Sequence, residues 1–214
     1  MKNKLALDTW PRKQHFGFYN QFEQPYFTVT VNLQMQRIYE MSKREGVPFS
    51  LSCLYVLQLA LAAYAPMRYR IEEGVPYEYE QVDISSVFLR QDDTFRFVRL
   101  TPEQDFSRFI SVNVHNKEEQ LEGKLISQQF LSESQMPNCV HVSILPWLSF
   151  TSFAHARLSK DDFGIPKLVF GKYNKADGTM PLCIEVHHAL MDGLHVAEFL
   201  QILQEKIDQA IWDK

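Results

Sequence analysis

The sequence predicts an α/β protein of the two-layer α+β kind, a mixed β-sheet covered by helices, and three observations carry that prediction. Segments alternating in period two recur at residues 26–33, 69–100, 139–145 and 167–186, bounded by turn residues. A strongly apolar helical segment at 49–64 must be buried on most of its surface. No repeat, linker or low-complexity stretch divides the 214 residues. A single domain, 1–214, built on one sheet of about six to seven strands is the economical architecture.

Each element has a local reason. Asp8-Thr9-Trp10-Pro11 places a capping side chain shortly before a proline, a helix-start signal. YFTVTVNL at 26–33 is a strand, and 33–45 is a short amphipathic helix closed by Gly46 in the left-handed C-cap position. Pro66 stops the apolar helix. The Glu-Glu-Gly turn at 72–74 joins two strands, and Gln91-Asp92-Asp93 separates two more. Residues 103–131 are polar, with helix-spaced apolar positions that include Phe106, Phe109 and Ile110. CVHVSIL at 139–145 is a strand followed by Pro146-Trp147, and strands at 167–173 and 182–186 flank the loop 174–178. The last helix, from about Leu194, aligns Leu194, Phe199, Leu200, Leu203, Ile207 and Ile211 in one apolar stripe.

Composition removes several function classes. The net charge of −4 supplies no basic footprint for nucleic acid or an anionic membrane. Cys53, Cys139 and Cys183 are odd in number, with no C-x-x-C pair, against a disulfide framework or a thiolate zinc site. The start MKNKLALDTW has no signal-peptide core, and the apolar stretch 51–65 is shorter than the roughly 20 residues of a membrane span. A reducing cytoplasm is the expected location. Neither G-x-G-x-x-G nor G-x-x-x-x-G-K occurs, so the phosphate-cradling loops of nucleotide enzymes are absent as motifs. Aromatic residues reach 13%, with sixteen Phe and nine Tyr, and serve either a core or a ligand pocket.

The chemistry concentrates in IEVHHALMDGLHVAEFL, residues 184–200. A strand runs into His187-His188, and a helix starts after Asp192-Gly193, at a strand-to-helix junction of the kind where clefts form. Neighbouring strand residues face opposite sides, so the two histidines should not share one task. Three readings compete: metal ligation by His187, His188 and His195, which matches no zinc spacing; a purely structural junction with Asp192 capping the helix; and a general base, suited to a histidine whose pKa lies near operating pH.

The motif H-x-x-x-D-G, His188 to Gly193, resembles the signature of the chloramphenicol acetyltransferases. The acyltransferase cores of 2-oxo acid dehydrogenase complexes and condensation-type acyltransferases share it. Further segments narrow the resemblance to the first family. WPRKQHFGFY at 10–19 is similar to its W-x-R-[KR]-E-H-F-x-x-[YF] start. PWLSFTSF at 146–153 is similar to its P-W-x-[SN]-F-[TD]-S-F run, and Gly171-Lys172-Tyr173 with Met180-Pro181-Leu182 to its x-K-Y…L-P-L approach. The matches run in order from residue 10 to residue 200.

The resemblance implies a coenzyme A-dependent acyltransferase fold and acetyl transfer from acetyl-CoA, with no metal, to a small-molecule hydroxyl acceptor. It implies His188 as general base, Ser152 as the oxyanion hydroxyl, and Asp192 paired with Arg12 beside Gly193 as support of the site. Tyr19, Arg90 and Asp92 fall in its acceptor region, and Lys172 and Tyr173 where it contacts coenzyme A. It also implies a homotrimer with sites at subunit interfaces, the base from one copy and much of the acceptor pocket from the next. His187 is expected to orient or pack, His15 has no catalytic role, and His195 stays undecided. The chain departs from the family pattern in places: Val87–Phe95, in the acceptor region, reads VFLRQDDTF for the usual V-F-H-Q-E-T-E-T-F, Val169 replaces a threonine that holds a water near the transition state, and Met191 and Leu194 replace Cys and Phe. Two rivals follow: an O-acetyltransferase for a different hydroxyl compound, or a non-catalytic trimeric small-molecule-binding module on the same fold.

Overall fold

The computed structural model describes residues 1–124, 136–157 and 163–210. In chain order the elements are β1 (Lys2–Lys4), α1 (Lys13–Tyr19), β2 (Tyr26–Gln34), α2 (Gln36–Glu45), α3 (Phe49–Ala63), β3 (Tyr69–Glu72), β4 (Val75–Tyr79), β5 (Asp83–Leu89) and β6 (Phe95–Arg99). They continue with α4 (Phe106–Glu122), β7 (Cys139–Ile144), β8 (Lys167–Phe170), β9 (Thr179–His187) and α5 (Gly193–Asp208).

A six-stranded mixed sheet has the order β2-β9-β8-β7-β5-β6. β7 runs parallel to β5 and to β8, and the other pairings are antiparallel. β9 is covered on both faces, which is why it reads as a nearly unbroken apolar run rather than an alternating one. Met180, Leu182, Ile184 and Val186 turn one face of β9 toward Leu54, Leu57 and Leu61 of α3 and Phe199, Leu203 and Ile207 of α5. That layer is the core. The other face carries Cys183, Glu185 and His187, and the chain at 147–157 folds back along it: Cys183 Sγ reaches the Phe153 carbonyl at 3.5 Å, and Lys167 Nζ donates to the Ala156 carbonyl at 2.8 Å.

The expected single sheet is corrected by a second, three-stranded one in the order β1-β4-β3. The β3–β4 hairpin pairs with Lys2–Lys4 instead of joining the main sheet. α2 starts at Gln36 and not at 33, because Leu33 still pairs with Met180 in the β2–β9 ladder. Its C-cap is Gly46 at φ +68°, where the αL backbone suits glycine. α1 starts at Lys13, and Asp8 does not cap it: its carboxylate takes the Lys13 ammonium at 2.8 Å. α4 is capped by Asp105, which accepts from Arg108 N at 2.7 Å; residues 125–131 of the expected helical stretch lie outside the described residues. Leu194 leaves the predicted stripe of α5 and is 66% exposed, with Val196 buried instead; Ile211 lies outside the described residues.

Candidate active site

β9 delivers His187 and His188 to the end of the sheet and hands them to opposite sides. The His187 ring is 3% exposed and meets Tyr26 edge-on at 4.8 Å. Its Nδ1 accepts from Ala189 N at 3.2 Å, and burial, with the nearby Arg157 charge, pushes its pKa down to about 4. His187 is therefore a neutral ring at neutral pH. It lines a cavity of about 450 Å³ with Asn20, Phe22, Pro25, Ile71, Glu73, Gly74, Phe163 and Gly164. His188 stacks on Tyr19, ring centroids 3.9 Å apart and 6° from parallel, and tilts against Phe27 at 4.7 Å. Its backbone N donates to the Pro25 carbonyl at 2.6 Å. Its Nδ1 is buried without a hydrogen-bond partner among the described residues.

The turn after His188 is tied to the N-terminal segment. Arg12, 7% exposed, pairs with Asp192 through Nη1 and donates from Nη2 to the His188 carbonyl at 2.9 Å. One guanidinium thus holds both the backbone of His188 and the residue that caps α5. Asp192 Oδ1 accepts from Leu194 N at 3.1 Å and meets His195 Nδ1 at 2.8 Å. Asp192 N also lies 3.4 Å from that nitrogen, but one Nδ1 cannot both accept from the amide and donate to the carboxylate. The shorter, charge-assisted contact is preferred, with the proton on Nδ1. Partial burial works to raise the Asp192 carboxyl, yet the His195 and Arg12 contacts hold it well below the usual carboxylate range. His195 is the member of this group that the sequence left undecided; the one available signal was its place at the third residue of a helix capped by Asp192. Gly193 opens α5, and nothing among the described residues crowds it.

The other predicted residues lie apart. Arg90 and Asp92 form the β5–β6 turn, where Asp92 Oδ1 accepts from Thr94 N at 3.0 Å and from Thr94 Oγ1 at 2.6 Å. Two strands, β8 and β7, separate β9 from β5, and the ladder registers set Arg90 at the opposite end of the sheet from His188. Strand spacing and rise then put the two about 30 Å apart. Ser152 is exposed beside Phe153, at the level of Cys183, and five residues of β9 further on stands His188, about 17 Å at strand rise. Ser143, which the sequence did not single out, lies on β7 paired with Val169, on the same open face of the sheet.

Tyr173 stacks on Tyr39 at 4.4 Å and meets the edge of Phe49 at 5.5 Å. Lys43 and Lys175 lie 5.5 and 6.0 Å from the Tyr39 ring, and Lys172 is exposed beside them. This aromatic and basic platform lies at the far end of β8 and β9 from His188.

A family model described as chloramphenicol acetyltransferase matches residues 2–204. The chain belongs to that family. It is therefore an acyltransferase by descent. The chloramphenicol acetyltransferase of Proteus mirabilis is 29% identical over 208 residues, 96% of this chain and 94% of the relative. Among solved structures, a chloramphenicol acetyltransferase superposes with TM-score 0.88 at 24% identity, covering 97% of this chain and all of the other. The dihydrolipoamide acetyltransferase of Azotobacter vinelandii superposes at 0.66 and 13% identity, over 92% and 86% of the two chains. At these identities the superpositions show the fold, a coenzyme A-dependent acyltransferase fold.

Proposed function

We propose that this chain is an acetyl-CoA-dependent O-acetyltransferase, with His188 as general base and chloramphenicol as the first acceptor to test. The observation that carries this reading is the clamping of His188. Its ring is held by Tyr19 and Phe27, and its backbone by Pro25 and Arg12, at the position of the family's signature histidine. A base so fixed needs no reorganisation before proton transfer. With Nδ1 buried, the Nε2 lone pair takes the proton of the acceptor hydroxyl. The hydroxyl oxygen attacks the thioester carbonyl, and the tetrahedral oxyanion collapses with cleavage of the C–S bond. The coenzyme A thiolate leaves with the proton returned by His188. No acyl-enzyme forms.

The oxyanion needs a preorganised donor in a place that excludes water. Of Ser143 and Ser152, half-buried Ser143 on a strand meets that need better than exposed Ser152. Neither reaches His188 within one chain, which supports a homotrimer in which His188 of one copy faces the sheet of the next, with Arg90 and Asp92 of that copy at its rim. Exposed Trp147 (60%), Leu148, Leu89 and Phe95 offer apolar surface for such a contact. The Tyr39–Tyr173 platform, with Lys172, Lys43 and Lys175, suits the adenine and phosphates of coenzyme A. The chain acts as one domain, in the cytoplasm.

The test is thiol release from acetyl-CoA with chloramphenicol, with the product identified by mass spectrometry. Wild type releases thiol and forms the acetyl ester, and His188→Ala does not. Equal rates for the two proteins would remove His188 from the chemistry.

A further inference from the structure

A chain of hydrogen bonds ends on the backbone of His188. Arg12 Nη2 donates to the His188 carbonyl at 2.9 Å, and Arg12 Nη1 pairs with Asp192 Oδ2. On its other side, Asp192 Oδ1 meets His195 Nδ1 at 2.8 Å. One carboxylate thus gives an oxygen to each neighbour. Its Cβ–Cγ torsion is of the sp³–sp² kind, with a broad and shallow profile, so the backbone alone does not fix the carboxylate plane. The donors at the two oxygens fix it, and with it the direction from which Arg12 is held.

The start of α5 does not require the imidazole. Leu194 N donates to Asp192 Oδ1 at 3.1 Å and Val196 N to the Asp192 carbonyl at 3.1 Å, which caps the helix without any side chain at 195. Core packing does not require it either, because the buried positions of α5 are Val196, Phe199, Leu203 and Ile207. Among the described residues, the His195 ring makes hydrogen bonds with residue 192 alone. Glu198, one turn further on, does not compete for it, since it accepts from the Tyr64 hydroxyl at 2.6 Å. Without His195, Asp192 Oδ1 would keep only the longer, neutral bond from Leu194 N.

We propose that His195 is a positioning residue for the acetyl transfer, acting through Asp192 and Arg12 on the backbone of His188. It takes no part in moving the proton. Its task is to hold the Asp192 plane, so that Arg12 holds the His188 carbonyl and the base stays aimed at the acceptor hydroxyl. The proposal rests on the acetyltransferase reading with His188 as base. A misplacement of about 1 Å at a reacting group costs about 10²-fold in rate. His195 acts two contacts away, while Tyr19, Phe27 and Pro25 still hold His188, so its loss should cost less than that.

The experiment has two arms. In the first, steady-state kinetics with acetyl-CoA and chloramphenicol compare wild type with His195→Ala, each protein checked for folding by circular dichroism. His195→Ala should lower kcat about five- to twentyfold and leave both KM values within about twofold. His195→Asn, whose side-chain amide can donate from nearly the place of Nδ1, should recover kcat to within about threefold of wild type. Placed in an Asp192→Asn background, His195→Ala should lower kcat by less than about twofold, because the carboxylate it acts on is gone. An unchanged kcat in His195→Ala, no recovery in His195→Asn, or the same loss in both backgrounds overturns the proposal and leaves the acetyltransferase reading standing. The second arm needs no turnover, and uses protein with labelled histidine followed by NMR. The ring-nitrogen signals should place a proton on His195 Nδ1, and the His188 carbonyl signal should shift in His195→Ala and return in His195→Asn. A bare Nδ1, or a carbonyl signal indifferent to His195→Ala, overturns the coupling. Should wild type release no thiol, the acetyltransferase reading fails by itself, and the coupling stands or falls by this second arm.

Discussion

Replacing Asp192 by asparagine isolates the charge that ties the two ends of the chain together. Asparagine caps a helix about as well as aspartate, so the start of α5 loses little. The loss falls on Arg12, which is buried and keeps its charge with no carboxylate beside it. Stranding a buried charge costs about 3–5 kcal/mol. The Asp192 side chain is 34% exposed, so solvent screens part of the pair. The expected cost is then about 2–3 kcal/mol, or roughly 4–12 °C in Tm for a chain of this size, at fixed protein concentration. Asp192→Ala also removes the cap and should cost about 1 kcal/mol more. The sign with pH follows from a carboxyl held below its ordinary value. Its stabilisation is full above the unfolded pKa and is lost as pH falls through the folded one, so wild type and Asp192→Asn should converge in acid. Because Arg12 also holds the His188 carbonyl, kcat should fall with stability. Urea unfolding from pH 7 to pH 3, with turnover at pH 7, decides the matter. An Asp192→Asn protein within 0.5 kcal/mol of wild type and with unchanged kcat would refute the reasoning.

Other outcomes follow from the same geometry. His188→Ala should lower kcat about 10²–10⁴-fold with little change in KM for acetyl-CoA, measured by steady-state kinetics. Tyr19→Phe keeps the stack on His188 and should stay near wild type, whereas Tyr19→Ala frees the ring and should lower kcat more than it raises KM. A Cβ at Gly171 would meet Pro181 Cγ at 2.5 Å, Phe150 Cε1 at 2.8 Å and the Leu148 carbonyl at 2.9 Å, so Gly171→Ala should cost about 1–3 kcal/mol in thermal unfolding. His141 and His187, both pushed down to about 4 by burial, stay neutral in the fold where the unfolded chain is protonated. Each should remove up to about 1.4 kcal/mol per pH unit as pH falls from about 6.5 to 4, and His187→Phe should flatten that slope in urea titrations.

Much of the fold was legible because its signals are local. Period-two alternation marked β2 and the β5–β6 hairpin, and Gly46 marked the end of α2. β1 escaped because Lys2–Lys4 is three polar residues with no periodicity, made a strand only by its pairing with β4. Leu194 had helical spacing but sits at the first turn of α5, where it has left the packed face. In the site, the resemblance singled out Arg12, Asp192 and His188, but the contact of Arg12 with the His188 carbonyl spans 176 residues and has no trace in any local pattern. Ser143 passed unnoticed for a related reason. A serine inside a strand acquires meaning only from the neighbours that sheet register gives it.

The sequence by itself determined the element types and the H-x-x-x-D-G signature, since backbone preference and motif spacing are properties of neighbouring residues. Only the tertiary structure decided which groups meet. It enlisted His195 to hold Asp192, tied Arg12 to the His188 carbonyl, and gathered Lys167, Arg157 and His141 from separate strands and a returning chain onto one face. Most of those contacts join residues far apart in sequence, fixed by strand register and burial.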